Sequence, residues 1–103
     1  MKKLIWYKQA IEDLQEVYNY YVQKSPQVAQ RICDKIIADS LYLKDFTKMG
    51  IAEPFLSKKY PNLRALVTAD GLYKILYHEK GENIYVIRLW NCRRDNNVNC
   101  QLI

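Results

Sequence analysis

The stretch from Leu72 to Asp95 constrains the fold more than any other part of the chain. It reads L-Y-K-I-L-Y-H, then E-K-G-E-N, then I-Y-V-I-R-L-W-N-C-R-R-D. Two runs rich in Tyr, Ile, Val, Leu and Trp flank a short polar turn containing Gly81, which is the composition of a β-hairpin. Each run carries one cation in an otherwise apolar strand, Lys74 in the first and Arg88 in the second, and the second run ends directly in Arg93, Arg94 and Asp95. Everything upstream reads as a cover for one side of this hairpin, with the other side left carrying positive charge.

The upstream chain supplies such a cover. Leu4 to Tyr7 is a short apolar run suited to a strand. Ala10, Leu14, Val17, Tyr18, Tyr21 and Val22 then recur at helical spacing, which puts all six on one helix face. Glu12 and Asp13 are expected in the first turn of this helix, where its dipole favours negative charge. Ser25 and Pro26 end it and start the next, as cap and first-turn proline. Ala29, Ile32, Cys33, Ile36, Ile37, Ser40 and Leu43 form a second stripe, in a helix expected to run to about Lys48 and stop at Gly50.

Two helices joined by so tight a turn are antiparallel neighbours, and their apolar stripes require a sheet beneath them. Ile51 to Asn62 loses periodicity and reads as a loop carrying Lys58, Lys59 and Tyr60 between Pro54 and Pro61. Strands are expected at about 63–69, 72–78 and 84–91, with Asp70-Gly71 as a hairpin turn. Asn96 to Ile103 is a polar tail without a motif. The fold class is therefore α+β: an N-terminal strand and an antiparallel helical hairpin packed on a three- to four-stranded, mainly antiparallel sheet.

A length of 103 residues makes this one domain, spanning 1–103. No apolar run approaches the roughly 20 residues that cross a bilayer, and the start is too poor in apolar residues for a signal peptide, so the expected location is cytoplasmic. Three cysteines, Cys33, Cys92 and Cys100, are too few and of the wrong parity for a disulfide framework. One histidine and no C-x-x-C leave no zinc site, and no cofactor motif is present, so neither metal nor cofactor is expected. Cys33 sits at a core position, while Cys92 precedes two arginines that favour its thiolate.

Charge is placed unevenly. Residues 1–57 hold eight Lys/Arg against seven Asp/Glu, and residues 58–103 hold eight against four, so the net +5 divides as +1 and +4. The C-terminal half thus suits an anionic partner, either nucleic acid or an acidic protein segment; solubility alone is the competing explanation.

Alternation puts Tyr73, Ile75 and Tyr77 on one side of their strand and Leu72, Lys74, Leu76 and His78 on the other. In the next strand Arg88 is expected to share a side with Ile84, Val86 and Trp90. Whether Lys74 and Arg88 face the same way depends on a register that sequence does not fix. If they do, with Arg93, Arg94 and Arg64 beside them, they form a cationic patch suited to neutralising phosphate. The alternative is that each pairs with a local carboxylate such as Glu79, Glu82 or Asp95. His78, at the turn end of its strand, reads as a surface residue. Tyr18 and Tyr21 read as core or core edge, with Tyr20 more exposed.

The order of elements resembles the toxin half of the RelE/ParE bacterial toxin–antitoxin superfamily. So do A-x-x-x-L at Ala10–Leu14, L-R at Leu63-Arg64, G-x-Y-[RK]-I-x-Y at Gly71–Tyr77 and R-R-D at Arg93–Asp95. The resemblance implies a toxin of a plasmid-stabilisation type, neutralised by a small, acidic, partly disordered antitoxin that wraps across sheet and helices in a hetero-oligomer. RelE-like members cut messenger RNA on the ribosome, whereas ParE-like members poison DNA gyrase.

By position, Arg64, Lys74, Arg93 and Arg94 match basic residues of the ribonucleases and are the catalytic candidates; Lys58, Lys59 and Arg88 join them as candidates for binding nucleic acid or another anionic partner. Four departures stand against a nuclease. Lys74 replaces the usual Arg and loses bidentate phosphate geometry. Leu66 stands where a second lysine is common, Asn91 where many members have His, and no Tyr follows R-R-D. These departures and the long helical hairpin favour the ParE-like branch, with an inactive antitoxin- or RNA-binding module as a third reading.

Overall fold

The computed structural model describes residues 2–53, 60 and 62–92. Lys58, Lys59, Arg93, Arg94, Cys100 and the tail lie outside the described residues. The chain forms strand β1 (Lys3–Trp6), helices α1 (Lys8–Val22) and α2 (Pro26–Tyr42), then strands β2 (Ile51–Ala52), β3 (Arg64–Thr68), β4 (Tyr73–Lys80) and β5 (Asn83–Asn91). The sheet order is β1-β5-β4-β3-β2; β1 runs parallel to β5 and every other pair is antiparallel. The α+β architecture is as expected, with a fifth strand at Ile51–Ala52, inside the segment read as loop.

The helical stripes do the covering. Ala10, Val17 and Tyr21 of α1, with Ala29, Cys33 and Ile36 of α2, pack on Tyr73, Ile75 and Tyr77 of β4 and Ile84, Val86 and Leu89 of β5. The opposite face carries a smaller cluster, Leu63, Ala65, Leu76 and Ile87, flanked by Tyr7, Tyr60 and Trp90. Ser25 caps α2 by accepting from the Val28 N–H at 3.3 Å, with Pro26 following it as expected. Thr68 Oγ1 donates to Asp39 Oδ2 at 2.6 Å and ties α2 to β3.

Several expectations are corrected. Helix α2 ends at Tyr42 rather than near Lys48. The following turns are instead pinned to the sheet by Tyr77, whose hydroxyl donates to Thr47 O at 2.9 Å and accepts from the Gly50 N–H at 2.8 Å. Gly50 is needed for close approach, not as a helix stop: a Cβ there would fall 2.7 Å from Ala65 O and 2.8 Å from Tyr77 Oη. The first turn of α1 holds no acid, and Asp13 is buried instead.

The alternation of β5 is also broken. Tyr77 pairs with Val86 but Leu76 pairs with Arg88, so Ile87 is an inserted residue, a β-bulge. Past it the facing of side chains flips. Leu89 joins Ile84 and Val86 on the helix side, while Arg88 and Trp90 share the other face with Leu76 and Lys74.

Candidate functional site

The register answers the question left open by sequence: Lys74 and Arg88 do lie on one face. Each is nonetheless bound to its own acid. Lys74, 1% exposed, donates to Glu53 Oε2 at 3.4 Å, and Glu53 is itself 5% exposed. Arg88 grips Asp13 with two arms, Nε to Oδ2 at 2.7 Å and Nη2 to Oδ1 at 3.2 Å. The Asp13 hydrogen bond holds the Arg88 pKa above its ordinary value, against a smaller opposing effect of burial. Asp13 Oδ2 also accepts from the Leu89 N–H at 3.0 Å, which satisfies the edge of β5 beyond the short β1.

Arg64 stands apart from both. It pairs in register with Tyr77, on the helix-side face, and its Nη1 donates to Gly50 O at 2.8 Å. The strand cations therefore do not converge on one concave surface: Arg64 and Lys74 point to opposite sides of the sheet. The acids that engage Lys74 and Arg88 are Glu53 and Asp13, neither of them among the carboxylates expected from sequence. Glu53 lies in an aperiodic segment and left no signal. Asp13 left one, since it falls at i+3 from Ala10 and i−4 from Val17, on the apolar stripe.

His78 is buried at 7% exposure rather than placed at the surface. Alternation on β4 puts it on the face away from the helices, and the ring of Tyr60 at 5.7 Å and that of Tyr85 at 5.5 Å cover it. Tyr7 continues the row, 5.6 Å from Tyr85. Tyr20 is exposed and Tyr21 buried, as the stripe required, and the Lys24 ammonium sits 5.0 Å from the Tyr20 ring. Cys33 lies in the core, where burial raises its thiol pKa. Among the described residues no group of His, Cys, Asp or Glu could hold a metal ion, and no helix is long and apolar enough to cross a membrane.

What this face does present is an apolar groove of about 650 Å³, walled by Tyr7, Tyr60, Leu63, Leu76, Ile87 and Trp90. Residues Asp13, Glu16 and Tyr20 of α1 form its far side. Aromatic and aliphatic walls with a charged rim suit a protein segment more than a polyanion. Only the strand parity pointed to this groove from sequence, through the side of β4 that carries Leu76.

Residues 4–96 match the family model of the ParE toxin of the type II toxin–antitoxin system, parDE. The chain belongs to that family. As a ParE-family protein it is a toxin of the type II toxin–antitoxin class, within the superfamily whose motifs it resembles. Its fold is also that of a solved structure described as the chromosomal ParDE TA system from P. aeruginosa. The two share 23% sequence identity at a TM-score of 0.73, over 88% of this chain and 96% of the other. No curated protein matches this ParE-family chain.

Proposed function

We propose that this protein is a cytoplasmic growth inhibitor that acts by binding DNA gyrase, and that a small acidic antitoxin holds it inactive in a hetero-oligomer. The observation that carries the reading is the fate of the strand cations. Lys74 is buried against Glu53, Arg88 is clamped by Asp13, and Arg64 is anchored on the opposite side of the sheet. A nuclease that stabilises a pentavalent phosphate needs several cations aimed at one point, and a buried, paired lysine is not available for that. The apolar groove supports a protein ligand, and it offers a wrapping antitoxin segment a place to bury side chains.

The test is a supercoiling assay with purified gyrase alongside primer extension on translated message. Inhibition of supercoiling with the message left intact is expected. Cleavage of ribosome-bound message with gyrase unaffected would move the protein to the ribonuclease branch. No growth defect on induction without an antitoxin would make it an inactive binding module.

A further inference from the structure

Of Arg64, Lys74 and Arg88, Arg64 is the one that meets no carboxylate among the described residues. With Nη1 committed to the Gly50 carbonyl, the guanidinium is held in place while its Nε and Nη2 donors meet no acceptor among the described residues. It borders a polar recess of about 510 Å³, between the turn at 47–50 and the β4–β5 turn, also lined by Thr47, Lys48, Asn62 and Glu79. Glu79 does not neutralise Arg64. Its carboxylate is ion-paired with Lys2, and the hydrogen bond from Lys2 is the main reason its pKa is held down. Within the lining, Lys48 and Arg64 therefore stand against one acid, Glu79, whose charge is taken up by Lys2, and the recess is left positive.

We propose that this recess is a docking site for one carboxylate side chain, Asp or Glu, presented by a protein partner. The remaining edge of the Arg64 fork offers two N–H groups whose spacing matches the two oxygens of a carboxylate, and Lys48 supplies the second charge. A nucleic-acid strand fits worse, because it would carry successive phosphates past Glu79 near the end of β4 and Glu82 in the turn that follows it. The wall of the recess also carries apolar residues, Ala52 and Leu63, beside Arg64. An occupant with an acid close to an apolar residue matches that surface, and a polyanion does not.

The site is independent of whether gyrase is the target, and it is tested without gyrase. The side-chain Nε–H resonance of Arg64 is followed by NMR during titration with acetyl-Leu-Gly-Glu-amide, its Gln counterpart, and a short single-stranded oligonucleotide. The Glu peptide is expected to move the resonance saturably and to bind at least about fivefold tighter than the Gln peptide. Lys48→Ala, at an exposed position, should weaken the Glu peptide severalfold without disturbing the amide spectrum. Arg64→Gln, followed through the backbone amides of Lys48 and Gly50 beside the recess, should abolish the difference between the two peptides. Equal response to Glu and Gln, no saturable shift, or tighter binding of the oligonucleotide at Arg64 would each overturn the proposal.

Discussion

Lys74 and Glu53 are both removed from water, so their pairing is a structural commitment and not a reserve of charge. Replacing Lys74 by methionine leaves the Glu53 carboxylate buried without its cation, at a cost of about 3–5 kcal/mol. Lys74→Met with Glu53→Leu removes both charges and should recover most of that loss, because buried pairs are often replaceable by apolar residues. Urea denaturation of the single and double variants gives the coupling directly. If the double variant is no more stable than Lys74→Met, the two groups are not each other's main partners. Sequence showed that a cation in an apolar strand needs an acid, but not which one. Glu53 comes from a segment with no periodicity, and only the two-residue strand before it brings it to Lys74.

Among the elements, the helices were legible because each buries one face, and a face repeats often enough to be read. The ends and insertions were not. Helix α2 stops early because Tyr77, distant in sequence, captures Thr47 and Gly50. Strand β2 is too short to show alternation, and one inserted residue, Ile87, reversed the facing of everything after it in β5. The joint between α1 and β5 depends on Asp13, which fills hydrogen bonds to Arg88 and to the Leu89 N–H beside that bulge. Asp13→Ala should cost about 1–3 kcal/mol, since the Leu89 N–H loses its acceptor in a buried setting. Amide exchange at Leu89 should accelerate in Asp13→Ala, and Asp13→Asn, which keeps an acceptor oxygen, should restore part of the protection. Unchanged protection in the alanine variant would mean that α1 is held to β5 by packing alone.

The whole molecule is a sheet with a large core on its helix side, and two titratable groups of that core, Cys33 and Tyr77, give the fold a dependence on alkaline pH. Burial raises both pKa values; for Tyr77 the Gly50 hydrogen bond and the Arg64 charge oppose the shift without cancelling it. A raised pKa means that the folded state holds the proton more tightly. The unfolded thiol ionises near about 8.5 and the unfolded phenol near about 10, while the folded groups stay neutral. Stability from this source is therefore complete below about pH 8.5 and is lost as pH rises toward the folded values. The slope approaches about 1.4 kcal/mol per pH unit for each group ionised only in the unfolded chain. Denaturation midpoints measured from pH 7.5 to 11 should fall in two stages. Cys33→Ala should flatten the first stage, and Tyr77→Phe the second. Tyr77→Phe also lowers stability at every pH, because Gly50 and Thr47 lose their hydrogen-bond partner, so the comparison rests on the slope and not on the midpoint itself. A Tyr77→Phe profile that declines as steeply above pH 10 as the parent would show that the buried phenol is not what couples this core to protons.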